Sequence, residues 1–392
     1  MKRQMFLSLV FVFAVALYGH AATFQEDVDF LKQYLDVIVL KSPDGQAQVA
    51  VVPAYQGRVM TSTASGANGP SFGWINRELI ASKKFEPHIN AFGGEDRFWL
   101  GPEGGQFSIF FEAGAPFDLE HWQTPPVIDT VAYAVVEQSD SEVAFEHRAT
   151  ITNRSGSSFD VKIRRVIRLA ESLTDEAQSV AFESENTITN LGDSAWNEET
   201  GMLSIWILGM FSPSPDATIV IPFREGSDEA LGAKVNDKYF GKVPEDRLVQ
   251  RDNVLFFSAD GTMRSKIGIS PKRATEWLGS YDSGLQALTL VQYTLPGDTD
   301  KYVNSMWELQ EEPFSGDAIN AYNDGPPSPG KKPMGPFYEL ESSSPAASLQ
   351  PGESLTHIHR TQHLIGPKEA LEPLAVKYLS AKLDDISSAL PR

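Results

Sequence analysis

The chain has 392 residues, a formal net charge of −19 and no cysteine. Its apolar and charged fractions, 41% and 22%, are those of a globular protein, which excludes a disordered chain and one with many membrane spans. The acidic excess gives nucleic acid and anionic membranes little electrostatic attraction, so neither is an expected partner. Without cysteine, disulfides and thiolate metal sites are excluded.

Residues 1–21 have the pattern of a secretory signal peptide. Lys2 and Arg3 give a basic start, residues 5–18 form an apolar run, and small residues near Ala21 suit cleavage. The run is shorter than the about 20 apolar residues that a spanning helix needs. We therefore expect this segment to be removed, which changes the net charge from −19 to −21, and the protein to be periplasmic or secreted.

Helical periodicity is confined to the two ends of the chain. It predicts an N-terminal helix within residues 22–36 and a C-terminal helix within residues 367–392. Residues 37–366 are predicted to form one domain of strands separated by turns rich in Gly, Pro, Asn and Asp. The predicted strands are Val37–Lys41, Ala47–Pro53, Arg58–Thr63, Phe107–Glu112, Val131–Glu137, Val143–Asn153, Phe159–Leu169, Leu203–Met210, Thr218–Phe223, Arg264–Ile269 and Leu285–Leu295. Because parallel strands need long crossovers, this pattern favours an all-β fold, a large antiparallel β-sandwich with peripheral terminal helices.

Two predicted loops, residues 64–105 and 310–336, are long enough to expect a functional role. The first contains charged and aromatic residues among glycines: Glu95, Arg97, Trp99 and Glu103. An aromatic ring can stack on a pyranose while charged side chains hold its hydroxyls, so all four are candidate substrate-binding residues. The alternative is a structural loop in which the arginine pairs with one of the glutamates.

A second group of candidates lies near the C-terminus. In strands, alternation places Glu339 and Glu341 on one face, and it likewise gives His357 and His359 a common face. If these strands are neighbours, carboxylates and imidazoles meet and supply the acid and base for proton transfer on a sugar. Glu341, His357 and His359 are thus candidate catalytic residues, and Glu339 a candidate substrate-binding residue. The alternative for each histidine is a solvated outer sheet face.

Metal binding is a further alternative for the histidines. The segment from Gly352 to His359 is similar to the start of a cupin metal motif, in which Glu341 would have to join the histidines. The carboxylate that should follow the second histidine is absent, so we expect neither a metal nor another cofactor. Weaker candidates lie in loops where turn chemistry explains them equally well: Trp74, Asn76, His88, Trp122 and Asp324.

Three stretches of the sequence resemble the galactose mutarotase-like superfamily, which includes the aldose epimerases. The segment 57–62 is similar to an early strand of these proteins, and 93–103 is similar to their Gly-Gly-x-Arg/Lys-x-Trp-x-x-Pro-Glu/Gln stretch. Leu340-Glu341, followed by residues 349–353, resembles the part in which the family has its catalytic glutamate and then a Leu-x-Pro-Gly-Glu turn.

The resemblance covers residues 37–366 and implies a supersandwich, two large antiparallel sheets with a sugar bound on a concave face. It implies that Glu341 is the general base and that Arg97 orients the substrate. The family's central catalytic histidine and its Asn-x-x-Asn-Gly-Arg segment have no recognisable counterpart in this sequence.

The candidates lead to one geometric prediction. Arg97 and Trp99 should line a common cleft with Glu341 and with at least one of His357 and His359, although the two groups are far apart in sequence. Two functions fit a carbohydrate ligand in such a cleft: an enzyme of the mutarotase or epimerase kind, and a carbohydrate-binding protein without catalysis.

Overall fold

The computed structural model describes residues 22–391, so the predicted signal peptide lies outside the described residues. Within that range the strands are β1 Ile38–Lys41, β2 Gln48–Val52, β3 Arg58–Thr63, β4 Arg97–Gly101, β5 Ala134–Gln138, β6 Glu142–Thr152, β7 Ser158–Leu169, β8 Gln178–Asn190, β9 Ser204–Phe211, β10 Ala217–Pro222, β11 Leu248–Arg251, β12 Val254–Ser258, β13 Ser265–Ile269, β14 Trp277–Asp282, β15 Ala287–Tyr293, β16 Ile319–Asn323, β17 Tyr338–Ser343 and β18 Ser354–Ile365. The helices are α1 Phe24–Lys32, α2 Arg77–Ser82, α3 Pro126–Asp129, α4 Asp228–Leu231, α5 Lys368–Leu379 and α6 Leu383–Ser387, with a 3₁₀ turn at Pro53–Tyr55.

The strands form three antiparallel sheets. The largest has ten strands in the order β11-β12-β10-β14-β15-β18-β8-β7-β6-β5, and the second has five in the order β13-β16-β17-β9-β4. A third sheet of three strands has the order β1-β2-β3. A buried cluster joins Phe98 of β4 and Val59 of β3 to Phe145 of β6, so the two smaller sheets pack on the ten-stranded one. The predicted antiparallel β-sandwich is confirmed.

The terminal helices lie at the periphery, as predicted, but their bounds differ. A capping box between Thr23 and Glu26 starts α1, which ends before the predicted limit at residue 36. The C-terminal segment forms two helices instead of one, because Ser380 adopts a left-handed conformation with φ of 56°. Both helices pack on the outer face of β10, β14 and β15. No helix of residues 22–391 has the length and apolar character required to cross a bilayer.

Several strand predictions need correction. Residues 107–112 form a buried irregular segment, and the two predicted loops contain β4, α2 and β16. The long strand β8 has no counterpart among the predicted strands, because its buried face carries Ser184 and Asn186 and hides the usual apolar alternation. A polar residue on a buried strand face therefore weakens the strand signal of the sequence.

Candidate functional site

One face of the five-stranded sheet presents aligned side chains from all five strands. The strand register places Lys266, Tyr322, Glu339 and Met210 side by side across β13, β16, β17 and β9. The next row along the strands contains Asn320, Glu341, Leu208 and Arg97, and the row after it contains Ser343, Trp206 and Trp99. Because alternate residues share a face, these rows lie on the same side of the sheet.

A cavity of about 290 Å³ lies over this face, and loop residues form the rest of its lining. Its size is at the small end of the range for small-molecule sites. Four tryptophans and most of the charged groups of the sheet face line it. The lining residues used below are His88, Arg97, Trp99, Glu103, Trp122, Trp206, Phe240, Arg264, Lys266, Trp307, Tyr322, Asp324, Lys332 and Glu339.

Glu341 lies beneath this lining and is fully buried. Its Oε2 accepts hydrogen bonds from Lys266 Nζ at 3.0 Å and from Trp206 Nε1 at 2.9 Å. The Lys266 ammonium also lies 4.5 Å from the centre of the Trp206 ring. The carboxylate that the resemblance assigns as the base is therefore held by an ion pair with Lys266 and a hydrogen bond from Trp206, and both partners face the cavity.

Glu339 faces the cavity and has the electrostatics of a proton-exchanging group. Burial, followed by the negative charge of Glu341, raises the pKa of Glu339 to about 8, and the cations Lys266 and Arg97 oppose this change. A carboxyl group with a pKa in this range exchanges a proton near neutral pH, which an ordinary glutamate does not. Of the two glutamates Glu339 and Glu341, it is Glu339, the predicted substrate-binding residue, that lines the cavity.

Two further carboxyl groups line the cavity, Glu103 and Asp324. Glu103 Oε1 accepts a hydrogen bond from Trp307 Nε1 at 3.0 Å, and Asp324 Oδ1 accepts one from the Tyr322 hydroxyl at 2.7 Å. Burial raises the pKa of both groups, and these hydrogen bonds oppose the rise. The cavity thus combines several acidic groups that hold protons more strongly than usual.

Arg97 and Trp99 line the cavity from β4, whereas the sequence placed this pair in a loop. The Arg97 guanidinium lies 4.2 Å from the centre of the Trp99 ring, and its Nη2 is 3.4 Å from Asp129 Oδ1. The strand is preceded by Gly93 and Gly94, which have φ of 92° and 110°. A Cβ at Gly93 would lie 2.0 Å from the Trp74 carbonyl oxygen, so only glycine fits this turn.

Glu95 does not lie with its predicted partners. It is fully buried between β3 and β18, where its Oε2 is 2.8 Å from Ser62 Oγ and 2.9 Å from His363 Nε2. The prediction grouped Glu95 with Arg97 because both belong to one glycine-rich segment, but β4 begins only at Arg97. The preceding glycine turn rotates the chain, so Glu95 points into the sandwich and the prediction is corrected.

His357 and His359 are also separated from the cavity. Both are fully buried, and their Nε2 and Nδ1 atoms, respectively, each lie 2.8 Å from the Ser342 hydroxyl. On β17, Ser342 is on the opposite face from Glu341, so the histidines lie on the sandwich side of the sheet. The predicted common cleft is therefore wrong for the histidines, and so is the alternative of a solvated outer face.

The same interior holds the buried ion pair of Arg165 with Asp96, and Arg165 also donates to Asn186 Oδ1 at 3.0 Å. We call this group, together with Glu95, His363, Ser342, His357 and His359, the interior polar layer. Burial lowers the pKa of His357 to about 3 and that of His359 to about 4. Both imidazoles are consequently neutral at neutral pH.

The metal alternative required His357, His359 and a carboxylate to converge. Across residues 22–391, no group of three or more His, Asp or Glu side chains is arranged to hold a metal ion. Glu341 lies on the other face of β17, which explains why it does not join the histidines.

Sequence reasoning did not select several residues of the cavity. Arg264 and Lys266 are two residues apart on a predicted strand and therefore share a face. Two basic residues on one strand face were a usable signal for a binding site. Trp206 lies on a strand that is apolar on both faces, so its sequence context carries no signal for a site. The weaker candidates His88, Trp122 and Asp324 all line the cavity.

Comparisons with known proteins show the family and the fold. The model of DUF6786, a family of unknown function, matches residues 22–390. No curated protein matches the chain in sequence. Among solved structures, the Slr1438 protein from Synechocystis sp. PCC 6803 is similar with a TM-score of 0.52 and 14% identity, over 85% of this chain and 98% of that one.

Two other similar structures have sugar-related names. A “Putative aldose 1-epimerase” from Escherichia coli K12 has a TM-score of 0.52 and 13% identity, over 85% of this chain and 100% of that one. A galactose mutarotase-like protein from Lactobacillus casei ATCC 334 has a TM-score of 0.48 and 11% identity, over 84% of this chain and 100% of that one. At such identities the likeness shows the fold alone, and the chain has the galactose mutarotase-like fold.

Proposed function

The chain belongs to DUF6786, and we propose that it is an exported protein that binds a sugar in the cavity of the five-stranded sheet and transfers a proton with Glu339. One observation carries this proposal: a single cavity joins four tryptophans to a buried carboxyl group with a pKa raised to about 8. Indole rings suit the apolar face of a pyranose, and such a carboxyl group exchanges protons near neutral pH. Export rests on the signal-peptide pattern of residues 1–21.

Opening or inverting an anomeric centre needs a proton acceptor and a proton donor. Glu339 supplies one of them, and Glu103, Asp324 and His88 are the titratable lining groups that can supply the other. The proposal places proton transfer on Glu339 instead of Glu341, because the Glu341 carboxylate is engaged by Lys266 and Trp206.

That same ion pair supports a second candidate function, carbohydrate binding without catalysis. With Glu341 held by Lys266, and with His357 and His359 on the far side of the sheet, the acid and base that the sequence suggested do not meet in the cavity. A fold that retained its sugar site and lost proton transfer would have these features.

The test uses residues 22–392, titrated with D-galactose and D-glucose while tryptophan fluorescence is recorded. Anomerisation of freshly dissolved α-D-galactose and α-D-glucose is followed by polarimetry. Glu339→Gln should abolish the acceleration of anomerisation over the spontaneous rate in buffer and change sugar affinity by less than about twofold, because the amide keeps the shape and loses the basicity. The matched control is Glu311→Gln, at an exposed glutamate outside the cavity.

Absence of sugar binding would overturn the proposal, and binding without turnover in the unmodified protein would favour the second candidate. Export has a separate test, the intact mass of the protein recovered from its native host. A mass that retains residues 1–21 would contradict removal of the segment.

A further inference from the structure

The lining of the cavity is unusually basic for so acidic a chain. Arg97, Arg264, Lys266 and Lys332 all contribute to it. Two of these cations are matched by protein carboxylates, since Lys266 Nζ is 3.0 Å from Glu341 on the sheet and Arg97 lies beside Asp129 of α3. Arg264 and Lys332, in contrast, form no ion pair with any described residue.

Arg264 is half-buried, and its guanidinium lies 3.8 Å from the centre of the Phe240 ring. Among the described residues, this guanidinium makes no hydrogen bond and no ion pair. An arginine stacked on an aromatic ring keeps its donors in one plane, which is the geometry that binds a carboxylate with two parallel hydrogen bonds. Arg264 is thus a positioned cation whose donors face no protein acceptor.

The carboxyl groups near Arg264 are already engaged elsewhere. The charge of Arg264 opposes the rise in the pKa of Glu103 and of Asp324, so both carboxyl groups lie within its electrostatic range. Each of them is nevertheless hydrogen-bonded to another residue. Glu103 accepts from Trp307, and Asp324 accepts from Tyr322 and from the backbone N–H of Gly335. The protein therefore does not supply the anion that Arg264 could bind.

We propose that the ligand of this cavity is a sugar that carries a carboxylate, a uronic acid or the uronate end of a longer saccharide, and that Arg264 binds this carboxylate. The inference rests on the proposed function, whose cavity and sugar it uses. A carboxylate only accepts hydrogen bonds, so it suits a guanidinium with free donors. Its single charge also meets less repulsion from Glu103, Asp324 and Glu339 than the two charges of a phosphate would. Lys332 at the cavity wall adds attraction for the same anion.

The experiment compares matched pairs of sugars on residues 22–392 by tryptophan fluorescence and calorimetry. The probes are D-galacturonate against D-galactose, D-glucuronate against D-glucose, and D-galactose 6-phosphate as the other anionic sugar. Arg264→Gln removes the cation, Arg264→Lys keeps the charge without the planar fork, and Arg148→Gln removes an exposed cation outside the cavity lining.

The uronates should bind at least about tenfold more tightly than the neutral sugars, because a hydrogen bond to a charged group contributes that much. Arg264→Gln should remove this preference by weakening uronate binding more than neutral-sugar binding, and Arg264→Lys should restore part of it. Arg148→Gln should change neither affinity. Raising the salt concentration should weaken uronate binding more than galactose binding.

Equal affinity for uronates and neutral sugars would overturn the inference and leave the proposed function intact. A preference for the 6-phosphate over the uronate would also overturn it. Failure to bind any of the sugars would instead contradict the proposed function, so the two failures are distinguishable.

Discussion

The five-stranded sheet has charged or polar groups on both faces, and the two sets of groups differ in what covers them: a cavity lies over one set, and another sheet covers the other. On the cavity face, Glu339 has no hydrogen-bond partner among the described residues, and Glu341 Oε1 has none either. On the sandwich face, Ser342 bridges two histidines and Arg165 is hydrogen-bonded to Asp96 and Asn186. Strand alternation on β17 alone separates the two sets.

Polar residues on a strand face therefore do not by themselves indicate a ligand-binding site. The interior polar layer is closed by sheets on both sides, and its charged groups find partners within the protein, which is the usual condition for buried charge. Buried atoms without a partner occur in both sets, such as Glu341 Oε1 on the cavity side and Asp96 Oδ2 in the interior polar layer. Only the cavity face borders a space that a ligand can enter and has a carboxyl group that changes charge near neutral pH. Substitutions should therefore affect stability strongly in the interior polar layer and mainly function in the cavity.

The largest effect is expected from Asp96→Asn in the interior polar layer. The substitution leaves the fully buried Arg165 without its counter-ion, which should lower the free energy of unfolding by about 3–5 kcal/mol. Urea unfolding followed by fluorescence measures the change. The matched control is Glu146→Gln, which breaks a partly exposed pair with Lys162 and should cost less than about 1 kcal/mol. Equal costs for the two variants would contradict the distinction between buried and exposed pairs.

The next effect is a pH-dependent gain in stability from Glu339→Gln. Because the pKa of Glu339 is raised to about 8 in the folded protein, the folded state binds more protons than the unfolded state between about pH 4.5 and pH 8. Glu339 therefore lowers stability progressively as the pH rises through this window. Removing the group should raise the free energy of unfolding by on the order of 4 kcal/mol more at pH 9 than at pH 5.

Thermal unfolding across this pH range tests the prediction, with Glu311→Gln as the exposed control. A difference between Glu339→Gln and the unmodified protein that stays constant from pH 5 to pH 9 would show that Glu339 titrates normally.

The smallest effect at neutral pH is expected from His357→Gln. Replacing a neutral imidazole that contacts Ser342 should cost about 1 kcal/mol at pH 7. The pKa of His357 is lowered to about 3, so the unfolded state binds more protons as the pH falls below about 6.5, and the histidine then destabilises the fold. The stability difference between variant and unmodified protein should consequently narrow, or change sign, by pH 4.5.

Urea unfolding at pH 7 and pH 4.5 measures this change. His121→Gln, at an exposed histidine beside Asp118, serves as the control and should not reduce acid sensitivity. A difference for His357→Gln that is the same at both pH values would mean that the imidazole is not neutral and buried as the structure places it.

The sequence by itself determined the fold class and the pairing of residues on strand faces. Antiparallel strands, peripheral helices and the common face of Glu339 with Glu341 all follow from local patterns, because alternation depends only on backbone geometry. The galactose mutarotase-like resemblance was equally local, since it rested on short motifs.

Only the tertiary structure decided which face of each strand opens to a cavity and which is covered by another sheet. Alternation could not show that Ser342 would meet His357 inside the sandwich while Glu339 faces the cavity, because both faces of β17 carry polar groups. Residue type likewise could not show that the glycine turn before β4 directs Glu95 away from Arg97. The direction of a face depends on the packing of strands distant in sequence, and this packing buries the histidines and leaves Glu339 beside the tryptophans.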